Sequence, residues 1–175
     1  MNKEQYRDKL RGFNRTLSYQ KEMDFFISLI NPQKGEKILD YGCGIGTMTE
    51  KMRERSDTVG YDAMNYFEDT PTWFINKLNG LYDKIYFMHS LAHIYALDIH
   101  RLPVRKGGRI YVFTPNLMWL SSKNSPDYTP DPTVYRHFNA TGLAELFQGY
   151  KIVIQGSYGE VSSNYSERLF IIAEK

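Results

Sequence analysis

Lys37-Ile38-Leu39-Asp40-Tyr41-Gly42-Cys43-Gly44-Ile45-Gly46-Thr47-Met48-Thr49 decides the fold. Lys37 to Tyr41 reads as a short buried strand, and the alternating glycines as a turn. Thr47 to Arg55 reads as a helix with Met48 and Met52 on one face. Glycine has no Cβ and reaches positive φ cheaply, so backbone here can pass close to a ligand. The start of a helix aims unpaired N–H groups and the positive end of its dipole at the same spot, which favours a polar or anionic group.

Upstream, residues 1 to about 15 are polar and basic around Tyr6 and Phe13, and read as a helix or a loosely docked arm. Met23, Phe26, Ile27 and Ile30 follow helical spacing over Thr16–Ile30, which Asn31-Pro32 and Gly35 end. Downstream, Asp57 to Asp62 is a second strand. Thr70-Pro71 resembles a helix cap with proline at the first helical position, so Trp73, Phe74, Ile75 and Leu78 read as a helix stopped at Asn79-Gly80. Asp83–His89 is an interior strand, Leu91–Arg101 a short helix, Lys106-Gly107-Gly108 a turn and Arg109–Thr114 another strand. Residues 116–137 form a long proline-bearing loop or lid. Asn139 caps a helix through Phe147. Tyr150–Gly156 and Arg168–Ala173 are the last strands, joined by a polar segment, Ser157 to Glu167.

Strands and helices alternating up to residue 150 imply an α/β fold: a three-layer sandwich on a mostly parallel sheet, with an antiparallel C-terminal hairpin. We expect a single domain over 1–175. Ligands of such sheets bind at the carboxyl ends of the strands. The glycine turn, Asp62, His89 and Asn116 all fall on that side.

The bulk numbers exclude several classes. A net charge of +2 without a long basic run argues against a dedicated nucleic-acid binder. No stretch of about 18 apolar residues offers a membrane span, and the polar N-terminus lacks a signal-peptide core, so a cytoplasmic protein is expected. The one cysteine, Cys43, allows no intramolecular disulfide and no cysteine-based zinc site. His89 and His93, four apart, would share a metal on a helix. But His89 ends a strand-like run, so no metal is expected.

Asp62 follows Asp40 by 22 residues and ends the strand after the turn. A carboxylate there accepts the ribose hydroxyls of a nucleoside; an ordinary solvated acid is the alternative reading. The spacing Gly-x-Gly-x-Gly is neither the Gly-x-Gly-x-x-Gly of dinucleotide sites nor a P-loop. A nucleoside with an amino-acid tail suits it better, its carboxylate on backbone N–H groups and its ammonium near carbonyls or Asp40.

Ile38-Leu39-Asp40-x-Gly42-Cys43-Gly44-x-Gly46, followed by Gly60-Tyr61-Asp62, resembles the class I, Rossmann-like S-adenosylmethionine-dependent methyltransferases. Tyr82-Asp83 through His93-Ile94 resembles their fourth strand and the helix after it. Arg105 to Ile110 with Thr114-Pro115-Asn116 resembles the fifth, and His137 to Tyr150 the late helix and sixth strand. The resemblance covers residues 16 to 174. It implies S-adenosylmethionine as cofactor and S-adenosylhomocysteine as product. Gly42, Cys43 and Gly44 would lie at the methionine part, with Asp40 nearby, Asp62 at the ribose, and Ala63 and Met64 beside ribose and adenine. His89 would lie near the methionine part or the methyl, and His89 or His93 is a candidate catalytic base. A role for His93 in orienting its own segment is the alternative.

The chain departs from the family in one place. Only 20 residues separate Asp62 from Asp83, so the third-strand region is shortened, merged or missing. Glu68 and Asp69 are the candidates for the missing adenine contact. The chain also lacks the Asn/Asp-Pro-Pro-Tyr/Phe motif of base and amide N-methylation, which points to a small-molecule or sugar acceptor and to oxygen as the acceptor atom. Trp119, Tyr128, Tyr135 and His137 are candidates for its pocket, or else surface aromatics. A non-catalytic methyltransferase-like binding subunit is the competing reading.

Overall fold

The computed structural model describes residues 3–118, 134–162 and 165–175. Two helices, α1 (Lys3–Asn14) and α2 (Leu17–Ile30), precede β1 (Lys37–Tyr41), α3 (Thr47–Arg53), β2 (Asp57–Tyr61) and β3 (Phe74–Ile75). Then come β4 (Tyr82–Met88), β5 (Val104–Pro115), α4 (Ala140–Glu145), β6 (Lys151–Ser162) and β7 (Tyr165–Glu174). The strands form one seven-stranded sheet in the order β3-β2-β1-β4-β5-β7-β6. β1 to β5 pair in parallel, and β7 runs antiparallel to both β5 and β6. This is the expected α/β architecture with its antiparallel C-terminal hairpin.

Side-chain alternation along the strands divides the core in two. Ile38, Tyr86, Met88, Tyr111, Phe113, Phe170 and Ile172 pack on one face with Tyr19, Met23, Phe26 and Ile30 of α2 and Met48 and Met52 of α3. Leu39, Ile85, Phe87, Ile110, Val112, Leu169 and Ile171 pack on the other face with Leu91, Ile99, Leu143 and Phe147. Helix α2 starts where Thr16 accepts the Tyr19 N–H and stops at Asn31, whose left-handed backbone returns its N–H to Ile27. Among the described residues no helix is long and apolar enough to cross a membrane.

Four local expectations are corrected. Where a helix was expected after Thr70-Pro71, the chain makes the two-residue strand β3, in register with Gly60 and Tyr61. Thr70 takes its hydrogen bond from the Asn65 side chain instead of capping a helix. The Gly60 N–H goes to the Trp73 carbonyl and draws the segment onto the sheet. The third strand is thus present but shortened.

Leu91–Arg101 is not one helix but two 3₁₀ turns, Leu91–His93 and Ile99–Arg101. The Ala92 carbonyl, which a continuing helix would use, accepts the Tyr135 and Arg136 N–H groups. Lys106-Gly107-Gly108 is an irregularity inside β5: Val104 lies opposite Tyr82, and Arg109 opposite Lys84. Gly107, at φ +76°, donates its N–H to the Lys175 carbonyl. Finally, the polar connector expected at Ser157–Glu167 largely continues the last two strands, with Ser157 opposite Leu169 and Ser162 opposite Tyr165.

Candidate cofactor and methyl-transfer site

The glycine turn hangs from β2: the N–H groups of Gly42 and Cys43 both donate to the Tyr61 carbonyl, at 2.7 and 3.1 Å. Each glycine has its own reason. Gly42, at φ +82°, lies against Ser90, whose Oγ donates to the Tyr41 carbonyl and ties β1 to the segment after β4. Gly46, at φ +78°, lies under the Trp73 ring: a Cβ there would stand 2.1 Å from Cη2. Gly44, at φ +55°, has only Leu10 of α1 near its missing Cβ, and its N–H donates to Asp62 Oδ2 at 2.9 Å. Gly44 is therefore the glycine of the three with the least protein over it, a backbone cradle roofed by Leu10.

Asp62 sits just beyond β2, beside that cradle. Its Oδ1 accepts the Met64 N–H at 3.1 Å. Burial raises its carboxyl above the usual range, against the N–H groups of Met64, Gly44 and Ala63 and the charge of His93. Ala63 and Met64 are exposed on the adjoining rim. Asp40 is buried, and its Oδ2 accepts the Thr49 hydroxyl at 2.6 Å, which fastens α3 to β1. Burial pushes the Asp40 carboxyl up to about 7, Thr49 opposes the shift and the Asp62 charge adds to it. Cys43 is a free thiol whose pKa burial pushes up.

The carboxyl end of β3 supplies a residue that sequence reading missed. Asn76 follows Ile75 directly and is exposed on the same side of the sheet as Asp62. It is an amide at the end of the third strand, the place where Glu68 and Asp69 were candidates. The signal was Phe74-Ile75, two strand-forming residues ahead of an amide, masked by the apparent helix cap.

His89 is the first residue after β4. Its φ of +58° is rare for a residue with a side chain. Its Nε2 lies 2.8 Å from Oε2 of Glu22 on α2, and Glu22 Oε1 lies 3.0 Å from Arg168 Nη2 on β7. Sequence reading missed both partners. His93 closes the first 3₁₀ turn, its N–H on the Ser90 carbonyl, and its charge acts on both Asp62 and His89. Among the described residues no group of three His, Cys, Asp or Glu side chains comes together to hold a metal.

Helix α1 is docked over the turn. Arg7 pairs with Glu68 at 2.8 Å, and Asn14 Nδ2 donates to Thr47 Oγ1 at 2.8 Å. Tyr6 packs on Tyr66 with ring centroids 5.5 Å apart. Glu68 is thus engaged by α1. Of the expected acceptor-pocket residues, Tyr135 is exposed and packs edge-on against Tyr95, and His137 is exposed. Trp119 and Tyr128, with most of the expected 116–137 loop or lid, lie outside the described residues.

Comparison with known proteins agrees with the fold. Residues 13–151 match the model of a family described as "Methyltransferase domain". A ubiquinone biosynthesis O-methyltransferase of Pectobacterium carotovorum is 30% identical over a match covering 47% of this chain and 44% of that protein, so the match spans less than half of its relative. Among solved structures, the 1,6-didemethyltoxoflavin-N1-methyltransferase of Burkholderia thailandensis, with bound 1,6-didemethyltoxoflavin and S-adenosylhomocysteine, aligns with a TM-score of 0.68. It is 17% identical, over 97% of this chain and 83% of that one. An S-adenosylmethionine-dependent methyltransferase from Clostridium acetobutylicum aligns with a TM-score of 0.67 and 14% identity, over 95% and 98% of the two chains. At these identities the structural likeness is one of fold. With the strand order, the glycine turn and the spaced acid already in place, the family match completes the assignment: the chain belongs to the methyltransferase domain family, the class I S-adenosylmethionine-dependent methyltransferases.

Proposed function

We propose that this chain transfers the methyl group of S-adenosylmethionine to a hydroxyl of a small molecule. The observation that carries the reading is the pairing of Gly44 with Asp62 at the strand ends, with His93 near enough for its charge to act on both Asp62 and His89. In this reading Gly42, Cys43 and Gly44 border the methionine part and Asp62 takes the ribose hydroxyls. Ala63 and Met64 border ribose and adenine, and Asn76 offers its amide to the adenine edge. Asp40 acts from behind the turn, keeping α3 on β1 and placing a carboxylate near the ammonium. His89 borders the methionine part and the methyl, and is with His93 a candidate base. A sulfonium methyl is already activated, so the protein's main task is to hold the acceptor in line behind it, a geometry worth about 7–11 kcal/mol. The relative named for O-methylation supports oxygen as the acceptor atom. A cytoplasmic setting belongs to this reading, and the single free cysteine fits a reducing compartment.

The test is incubation with methyl-labelled S-adenosylmethionine and a panel of hydroxylated aromatics and sugars, the product being identified by mass spectrometry. An O-methylated product is expected. Methylation at nitrogen or carbon alone would overturn the acceptor assignment, and tight cofactor binding with no transfer would favour the binding-subunit reading.

A further inference from the structure

His89 is held in a way that a packing residue does not need. In regular alternation Phe87 faces one side of the sheet, Met88 the other, and His89 would return to the side of Phe87. The positive φ at His89 instead swings its ring to the side of Met88, against α2. There Glu22, 2% exposed, lies within hydrogen-bond distance of both His89 and Arg168. Arg168 is held in turn: Nη1 lies 2.8 Å from Glu167 Oε1. Burying a carboxylate, a guanidinium and an imidazole together costs desolvation energy that an apolar cluster would avoid. The left-handed backbone adds strain of the kind found at functional sites.

We propose that Glu22, fixed by Arg168, is a positioning residue that holds His89 as the base for an aromatic hydroxyl. The inference rests on the methyl-transfer reading above and names its acceptor class. Burial alone would raise the Glu22 carboxyl, but the hydrogen bonds and charges of His89 and Arg168 outweigh it and keep it ionised. Burial lowers His89 against the pull of Glu22, with Arg168 and His93 adding to the fall, which favours the neutral ring. An ionised carboxylate only accepts, so the proton of the neutral ring is on Nε2 and the lone pair on Nδ1. Nδ1 makes no hydrogen bond among the described residues. The groups facing the ring are Glu22 and Tyr19 from α2, Arg168 from β7 and His93 from the 3₁₀ turn. Phe13, Tyr19 and Phe113 pack around it with centroids 6.2, 6.2 and 5.3 Å away; Tyr19 and Phe113 are core residues, and Phe13, 42% exposed, is the ring a flat acceptor would meet.

In the step, the acceptor's O–H bond breaks and its proton goes to Nδ1. The oxygen forms a bond to the methyl carbon as the carbon–sulfur bond breaks, the electron pair staying on sulfur. The sulfonium charge is thereby lost, and a positive charge appears on the imidazolium beside the Glu22 carboxylate.

Catechol and 4-nitrocatechol, of nearly one shape, test this, because the nitro compound is already ionised at neutral pH. For the native protein, kcat/KM on catechol should rise with pH through one ionisation and then level. Glu22→Gln should lower kcat on catechol roughly 10- to 100-fold, less than the roughly 10²–10⁴-fold of a general base because the imidazole itself remains, and leave nitrocatechol turnover unchanged while S-adenosylhomocysteine still binds. Equal losses on both acceptors, no loss on either, or a flat catechol profile in the native protein would overturn the proposal. So would binding of S-adenosylhomocysteine with transfer to neither catechol. Absence of S-adenosylhomocysteine binding would instead bring down the methyl-donor reading, and this inference with it.

Discussion

A Cβ placed on Gly42 would stand 2.4 Å from the Cβ of Ser90, so the turn after β1 and the residue after β4 meet with no space for a side chain. Gly42→Ala adds that clash to the strain of a φ of +82°. It should cost roughly 2–4 kcal/mol, read as a lower urea midpoint at unchanged m-value. S-Adenosylhomocysteine affinity should fall with it. An unchanged midpoint would mean that the seam between β1 and β4 is looser than these contacts imply.

Trp73 fills the space above Gly46 and Gly60 and meets Phe67 edge-on at 5.2 Å. It anchors β3, whose two residues could not hold themselves on the sheet. Trp73→Ala should cost about 3–5 kcal/mol. In hydrogen exchange, the Gly60 amide, which donates to the Trp73 carbonyl, should lose protection before the β4 and β5 amides do. Uniform loss across the sheet would contradict the anchoring role.

Asp40 should make stability fall as pH rises. Its carboxyl titrates near 7 in the folded chain and near 3.8 when unfolded. Between those values the folded state holds a proton that the unfolded state has released, so the contribution is fully present below about pH 4 and lost towards pH 7. The loss is roughly 3–4 kcal/mol. Asp40→Asn, neutral throughout, should flatten this part of the urea-midpoint profile. A native profile that rises from pH 4 to 7 while the Asn variant stays flat would reverse the assignment.

The Arg7–Glu68 pair is exposed on the Glu68 side, at 77%, so it adds little to global stability. Its place, with Leu10 over Gly44, is on the way to the cradle. Arg7→Ala and Leu10→Ala should each speed S-adenosylhomocysteine dissociation in stopped-flow while shifting the urea midpoint by no more than about 0.5–1 kcal/mol. Unaltered dissociation would show that α1 does not gate the site.

What could be read in the sequence was what lies close along the chain. β1, the glycine turn and α3 were legible because strand, turn and helix signals adjoin, and Asp62 because it ends the next strand. β3 was not, since two residues show no period and Thr70-Pro71 imitates a helix start. Its seat is a Trp73 contact with glycines 27 and 13 residues earlier. The same distance hid the site's second half. Glu22 reads as an ordinary polar residue beside Met23 on an amphipathic helix, and its partner His89 lies 67 residues away. The backbone turn that brings them together is a positive φ at a non-glycine residue, which no local pattern announces.

The central claim is that Gly44 and Asp62 frame a seat for the methyl donor. Calorimetry of S-adenosylhomocysteine binding to the native chain and to Asp62→Ala tests it directly. One site per chain is expected, weakened about 10- to 100-fold by the substitution, in keeping with the loss of hydrogen bonds to a charged acceptor. No binding by the native chain, or equal affinity in the two proteins, would contradict it.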